Sequence, residues 1–255
     1  MAKIISVINN KGGTGKTTTV LNLGAALQRR RKKVLLIDLD SQGNLTSSFD
    51  IDAPKVSIGE VLVEGVSIQD SIQKVGKLSL IPSRSDLLDF ETRLANEPGR
   101  EFMLREALEP LTSSFDYILI DCPPSLGILS INSLVAADEY IVPMQAENFA
   151  FIGLDRILQV TDKVRKRMNN HLELAGILFV KLNPRTKFCQ AVVKSIADDV
   201  RVGKKMFDTY IRQDIALMES AAFHKTVFDY ASKSHGSEDY AHLAKEILKA
   251  NGQEA

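Results

Sequence analysis

The chain has 255 residues, of which 44% are hydrophobic and 25% charged, so it suits one large α/β domain or two small ones. Basic and acidic residues balance at 32 each, which excludes a global electrostatic attraction to nucleic acid and leaves only a local patch for such binding. Two cysteines, Cys122 and Cys189, indicate a reducing compartment. Because we find no apolar run of about 18 residues and no signal-peptide pattern, we expect a cytoplasmic protein.

The first predicted strand, residues 4–8, is followed by a glycine-rich loop, residues 9–17, and by apolar residues at helical spacing from 18 to 27. Strand, glycine loop and helix form the context of a phosphate-binding loop. Glycines let backbone N–H groups converge on phosphate oxygens, and the helix points its positive end at the same anion. Lys16 adds a charge for the β- and γ-phosphates, and the Thr17 hydroxyl can ligate Mg²⁺.

The motif Gly-x-x-x-x-Gly-Lys-Ser/Thr is nearly complete, but Asn10 stands at the position of its first glycine. Residues 11–17, Lys-Gly-Gly-Thr-Gly-Lys-Thr, resemble the deviant Walker A motif of the ParA/MinD ATPases. The resemblance implies that Lys11 reaches across a dimer interface to the partner's nucleotide and acts in catalysis beside Lys16. The alternative is that Lys11 is a solvated loop lysine.

A basic run, residues 29–33, follows the first predicted helix. Its charges complement the negative end of the helix dipole, and a contribution to a DNA or membrane surface is the alternative interpretation.

The second predicted strand, residues 34–40, is continuously apolar up to Asp38 and Asp40, which is typical of a parallel strand covered on both faces. Ligands bind at the carboxyl ends of such strands, so we expect both acids beside the phosphate loop.

Residues 38–44 resemble the family's Asp-x-Asp-Pro-Gln-Gly-Asn segment, with Ser41 in place of proline. The resemblance implies that Asp40 orients or activates the attacking water. Residues 117–121 predict a third strand that ends in Asp121, the Walker B pattern, whose carboxylate holds the Mg²⁺ shell through water. We therefore expect Thr17, Asp40 and Asp121 at the metal ion.

The remaining pattern predicts further helices and strands. We expect short surface helices within 47–76, a strand at 78–82, two helices within 86–111 broken near Pro98, a helix at 128–137, a strand at 139–143, an amphipathic helix from Phe149 to Asn169, a strand at 174–180 and a closing helix at 240–249. In the family the region 149–169 packs at the dimer interface. The alternative is a helix that only covers the sheet.

Residues 181–212 carry eight Lys and Arg side chains against three Asp, a local excess of five positive charges. Such an excess can contact phosphates, although an ordinary solvated surface is the alternative. In the family this region makes non-specific DNA contacts, and residues 183–186 match a family segment that contains Arg185. Ala216 stands where the family often has a DNA-contacting arginine. The predicted DNA contacts are Arg185, Lys187, Lys204, Lys205, Arg212 and, with a family match outside this segment, Lys225.

The resemblance covers residues 1 to about 249 and implies a single P-loop NTPase domain over 1–255, α/β in class, with a mostly parallel central sheet between helices. The implied nucleotide-binding residues are Gly12, Gly13, Thr14, Gly15, Lys16, Thr17, Thr18, Asn183 and Arg212. The implied cofactors are ATP and Mg²⁺.

The resemblance is to ParA/Soj-type chromosome or plasmid partition ATPases. It implies an ATP-bound homodimer, non-specific double-stranded DNA as ligand, nucleoid association, and slow hydrolysis stimulated by a ParB-like partner. A MinD-like membrane-cycling ATPase is the alternative, but residues 251–255 lack the basic amphipathic helix of that group, so we expect no stable membrane association. A cofactor-assembly ATPase is a third possibility, disfavoured by the lack of a Cys-x-x-Cys pair.

Overall fold

The computed structural model describes residues 1–147 and 150–253. Within them, one eight-stranded sheet contains all the named strands. The strands are β1 Lys3–Val7, β2 Val34–Asp38, β3 Gln73–Val75, β4 Leu78–Ile81, β5 Tyr117–Asp121, β6 Glu139–Met144, β7 Glu173–Leu182 and β8 Ile211–Arg212.

The α-helices surround this sheet, and two short 3-10 turns, Glu109–Leu111 and Gly203–Lys205, lie between them. The helices are α1 Lys16–Arg29, α2 Asn44–Ser47, α3 Ile58–Glu64, α4 Ile68–Ser71, α5 Leu87–Leu94, α6 Met103–Leu108, α7 Ile128–Ala136, α8 Ala150–Arg167, α9 Lys187–Ala197, α10 Ile215–Ala222, α11 Val227–Tyr230 and α12 His235–Ala250. Among the described residues, no helix combines the length and apolar character that crossing a membrane requires.

The strand order is β3-β4-β2-β5-β1-β6-β7-β8, and every neighbouring pair is parallel except β3 and β4. The central order β2-β5-β1 brings three carboxyl ends together. Asp121 of β5 is in register with Asp38 of β2 on one side and with Val7 of β1 on the other. The phosphate loop leaves β1 at this edge, so the acids predicted from separate strands meet beside it.

Alternating side chains of the central strands point into two apolar cores, as the two-residue period of a strand requires. Leu35 and Ile37 of β2 pack in the core that α3, α5, α6, α7 and α8 cover. Val34 and Leu36 pack in the core that α1, α11 and α12 cover. Because both faces are covered, every residue of β2 and β5 is buried, which explains their continuous apolar runs.

The predicted α/β class and mostly parallel sheet are confirmed. Residues 47–76 differ from the expectation of surface helices, because Ile58 and Leu62 of α3 are buried in the first core and β3 adds an antiparallel edge strand. The long amphipathic helix is α8, which begins at Ala150, while Phe149 lies outside the described residues. The sequence patterns do not predict strands β3 and β8 or helices α9, α10 and α11.

Candidate nucleotide-binding site

The loop between β1 and α1 has the backbone shape that its glycines permit. Gly13 and Gly15 have φ values of 73° and 80°, in the left-handed region that favours glycine. Gly15 is the N-cap of α1, and within the described chain no side chain caps that helix and no acid lies in its first turn. Its N–H groups and the positive end of its dipole therefore face an anion site.

Two neighbouring strand ends hold this loop in place. Asn9 donates from Nδ2 to the Pro143 carbonyl at 2.7 Å, and its Oδ1 accepts from the Lys11 N–H at 3.0 Å. The Gly13 carbonyl accepts from Nε2 of Gln145 at 2.7 Å and from Nζ of Lys181 at 3.3 Å. The sequence analysis missed Gln145 and Lys181, although both follow or end a predicted strand at this edge of the sheet.

Lys16 lies at the base of the loop and is only 7% exposed. Its Nζ donates to the Lys11 carbonyl at 3.2 Å. Burial lowers the pKa of Lys16, and the carboxylates near it, first of all Asp121 and then Asp40, act in the opposite direction. A phosphate group would add negative charge beside this ammonium and favour its charged form.

Asp121 is fully buried, and neither of its carboxylate oxygens has a hydrogen-bond partner in the described residues. Burial, followed by the charge of Asp38, raises the pKa of Asp121 well above its usual range, while the Thr17 hydroxyl and Lys16 act to lower it. Two oxygens without partners next to a threonine hydroxyl suit a cation with oxygen ligands, such as Mg²⁺. The residues present therefore fit the metal ion that the motif implies.

Unlike Asp121, Asp38 has hydrogen-bond partners for both of its carboxylate oxygens. Its carboxylate accepts hydrogen bonds from the Thr46 N–H at 2.9 Å, the Thr46 hydroxyl at 2.7 Å and the Asp40 N–H at 3.1 Å. Burial still raises the pKa of Asp38 to about 6, because desolvation outweighs these bonds. Asp38 thus links Asp40, directly after β2, to Thr46 in α2.

Asp40 itself is held through its backbone. Ser83 donates from Oγ to the Asp40 carbonyl at 2.7 Å, and the Ser83 N–H donates to the Thr46 hydroxyl at 2.9 Å. The Asp40 carboxylate accepts from the Gln42 N–H at 3.0 Å and is 7% exposed at the cavity described next. A chain of buried hydrogen bonds from Asp38 through Thr46 and Ser83 therefore positions Asp40.

A cavity of about 750 Å³ opens in front of the loop, within the range of about 300–1,000 Å³ usual for ligand sites. Of the predicted residues, its lining includes Gly12, Gly13, Gly15, Lys16, Thr17, Thr18, Asp40 and Arg212. Thr14 instead faces the other side of the loop, and Asn183 lies outside the lining, where its Oδ1 accepts from the Arg185 N–H at 3.2 Å. Lys11 forms an ion pair with Glu147 on the same chain and is exposed.

The predicted DNA-contacting residues fall in different places. Arg185 and Lys187 lie exposed at the start of α9, and Lys204 is exposed in the following 3-10 turn. Lys205 lies 3.7 Å from a Glu173 carboxylate oxygen. Two further residues stand apart from this surface. They are Arg212, paired with Asp239 and Glu238 at 2.6 Å each, and Lys225, in the turn between α10 and α11.

Comparisons with known proteins agree with this geometry. The AAA domain family model matches residues 2–174. The sporulation initiation inhibitor protein Soj of Bacillus subtilis is 40% identical over 99% of this chain and 100% of its own length. Cobyrinic acid a,c-diamide synthase of Mycobacterium smegmatis, solved with an ATP analogue and magnesium, is 34% identical with a TM-score of 0.84 over 99% of this chain and 96% of that one.

A plasmid partition protein of Borrelia burgdorferi bound to AMPPNP is 30% identical with a TM-score of 0.82 over 98% of this chain and 99% of its own. The doubly wound sheet, the glycine loop and the acids at the strand ends define a P-loop nucleotide-binding protein. The chain belongs to the AAA domain family and, within it, to the ParA/Soj ATPases.

The first prediction concerns the chain of hydrogen bonds behind Asp40. Thr46→Val keeps the shape of the side chain but removes the hydroxyl that donates to Asp38 and accepts from Ser83. Leaving these buried groups without a partner should lower the free energy of unfolding by about 2 kcal/mol, measured by urea denaturation. Thr46→Ser should restore most of it.

Thr92→Val is the matched control, because the Thr92 hydroxyl donates to the Leu88 carbonyl on an exposed helix surface. This control should stay within about 0.5 kcal/mol of the wild type. Equal losses in Thr46→Val and Thr92→Val would show that the buried chain of hydrogen bonds does not stabilise the site.

Proposed function

We propose that this protein is an ATP-dependent, dimerising, DNA-binding ATPase that acts in chromosome or plasmid partitioning and associates with the nucleoid. The observation that carries the ATPase assignment is the placement of Lys16 and Asp121 at an uncapped helix N-terminus. The names of the similar Soj and plasmid partition proteins support the partitioning role. We further propose that hydrolysis is slow and that a ParB-like partner stimulates it.

The residues divide the chemistry among themselves. The loop N–H groups and Lys16 bind the phosphates, and Thr17, with Asp121 and Asp40 acting through water, would hold Mg²⁺. A bound Mg²⁺ neutralises charge on the phosphate oxygens. The buried Lys16 and the positive end of the α1 dipole stabilise negative charge at the γ-phosphate.

Asp40 is the group that we assign to the attacking water. Its carboxylate lines the cavity, and its backbone is fixed by Ser83. An oriented carboxylate can accept a hydrogen bond from water and align it in the transition state, which contributes to the rate and not to binding of the nucleotide.

The second prediction follows from this division. Asp40→Ala should bind ATP with an affinity close to that of the wild type, because Lys16 and the loop N–H groups remain. Its kcat for phosphate release should fall by roughly 10² or more, the usual size of a general-base contribution. Calorimetry and a phosphate-release assay measure the two quantities, with the exposed Asp70→Ala as control. Wild-type turnover in Asp40→Ala would exclude this role.

Lys11 is proposed to reach the nucleotide of the partner subunit. In the single chain its ammonium is paired with Glu147, and both side chains are exposed, at 62% and 42%. To act across an interface, Lys11 has to leave this ion pair. An exposed pair contributes at most about 1 kcal/mol, so breaking it costs little free energy.

The third prediction uses the two partners of this ion pair. Lys11→Ala should weaken ATP-dependent dimerisation more than it weakens ATP binding by the monomer. Glu147→Gln should act in the opposite direction and strengthen dimerisation up to about five-fold, the equivalent of 1 kcal/mol. Analytical ultracentrifugation with ATP measures both. Normal dimerisation of Lys11→Ala would support a solvated lysine instead.

We assign the DNA contacts to the cations that have no carboxylate partner in the described residues. In the described residues, Arg185, Lys187 and Lys204 form no ion pair, whereas Arg212 is held by Asp239 and Glu238. Contacts from Lys and Arg to phosphates carry no sequence information, so binding should be equal on unrelated duplexes. A dimer presents the patch twice, which is why binding should require ATP.

The fourth prediction tests the DNA assignment. With ATP, the wild type should bind two unrelated duplexes equally, and Arg185→Ala combined with Lys187→Ala should lower the log–log salt slope by about 4, because each subunit of the dimer loses two contacts. Lys55→Ala combined with Arg105→Ala, two exposed cations outside α8 and α9, is the control and should leave the slope unchanged. Absence of wild-type binding at low salt would reject the partition role and favour a membrane-cycling ATPase, which sedimentation with liposomes and ATP would detect.

A further inference from the structure

A second basic surface lies at the far end of α1 from the phosphate loop. It is a groove of about 920 Å³ between the last turn of α1, the β3–β4 hairpin and the turn before α11. We call it the hairpin groove and define it by its five cations. They are Arg29, Arg31, Lys74, Lys77 and Lys225. These five cations are up to about two hundred residues apart along the chain, so counting charges in a short stretch of sequence does not reveal the cluster.

The charges of the hairpin groove are not neutralised by neighbours. None of its five cations forms an ion pair within residues 1–147 and 150–253, and Asp229 is the one acid in its described lining. The Asp229 carboxylate accepts a hydrogen bond from the Thr226 hydroxyl at 2.6 Å, at the start of α11. Lys74 donates to the Ser79 hydroxyl at 2.8 Å, and Arg29 lies over the Phe228 ring at 5.2 Å, so these two contacts are with uncharged groups.

We propose that the hairpin groove binds the phosphate backbone of duplex DNA as a second contact surface, separate from Arg185 and Lys187. This inference rests on the proposed function, because it takes DNA as the ligand. A concave row of unpaired Lys and Arg side chains suits a polyanion whose charges repeat at short intervals. Each side chain that meets a phosphate releases counterions and adds to a binding energy that depends on salt.

A lipid surface fits the groove less well. Its apolar lining, which includes Phe49, Ile51 and Phe228, is buried or half-buried. None of the large exposed apolar side chains in the described chain belongs to this lining. Stable membrane attachment of a basic surface needs a second, apolar signal that inserts into the bilayer, and the groove does not supply one.

The groove adjoins the nucleotide cavity. His224 lines both, and its Nδ1 lies 2.6 Å from the Ser47 carbonyl of α2. Ser47 and Ser48 line the nucleotide cavity, and Phe49, one residue further, lines the groove. DNA in the groove would therefore lie against the segment that follows Asp40, and not only on the surface formed by α9.

The test compares three double variants by ATP-dependent binding to one duplex across a salt series. Lys74→Gln with Lys77→Gln removes two groove charges, Arg185→Ala with Lys187→Ala removes two charges at α9, and Lys55→Gln with Arg105→Gln, two exposed cations outside both surfaces, is the control. The groove variant should bind at least roughly ten-fold more weakly and lower the log–log salt slope by about 4, two contacts in each subunit of the dimer. Because Lys74 donates a hydrogen bond to Ser79, Lys77→Gln alone is included, and it should lower the slope by about 2, one contact in each subunit.

Unchanged thermal unfolding midpoints will show that the variants are folded. If the wild type binds DNA and only the α9 variant loses slope, the groove inference is wrong while the proposed function stands. If the wild type does not bind DNA, the proposed function fails and the inference fails with it. Vesicles of equal parts phosphatidylcholine and phosphatidylglycerol form the last arm. Loss of vesicle binding by the groove variant, with DNA binding unchanged, would overturn the inference and assign the groove to membranes.

Discussion

Charged groups that are buried together at the carboxyl ends of β2, β5 and β1 impose the main constraint on this molecule. Burial lowers the pKa of Lys16 and raises that of Asp121, so each group is driven toward its neutral form while the charge of the other opposes the change. Phosphate oxygens at the loop and a divalent cation beside Asp121 would carry the charges that stabilise both ionised forms. The buried charges of the site therefore lack counter-charges, and a nucleotide with its metal ion would supply them.

The rest of the fold keeps these groups in position. The loop is tied to β6 through Asn9 and to the ends of β6 and β7 through the Gly13 carbonyl. On the other side, Asp38 and Thr46 tie the segment after β2 to Ser83, which follows β4. Hydrogen bonds to β6 and β7 thus fix the phosphate loop, and hydrogen bonds between the segments after β2 and β4 fix Asp40, so one rigid sheet positions both sides of the site.

Much of this arrangement could be predicted from the sequence, because the signals are local. Continuous apolar runs identify β1, β2 and β5, and an acid at the end of a strand must lie at the ligand edge of a parallel sheet. Strands β3 and β8, with three and two residues, are too short to show a period. Gln145 and Lys181 belong to no sequence motif, so their hydrogen bonds to the Gly13 carbonyl can be identified only from the assembled sheet.

Long-range pairing also decides which charges are available. In residues 181–212, Arg201, Lys205 and Arg212 have carboxylate partners, and most of those acids lie outside the segment. The excess of five charges therefore overstates the free charge of this surface. The opposite holds for the hairpin groove, whose cations come from three separate segments and form no ion pair with any acid among residues 1–147 and 150–253.

A local charge count measures composition, whereas attraction of a polyanion depends on the field that remains after internal pairing. Arg212 illustrates the difference. Its guanidinium lines the nucleotide cavity, yet its ion pairs with Glu238 and Asp239 join β8 to the first turn of α12. Such an arginine is well placed to fix the wall of the cavity, and any phosphate that recruits it must compete with two carboxylates. Cations without such competitors, in the groove and at the start of α9, can bind phosphates without that cost.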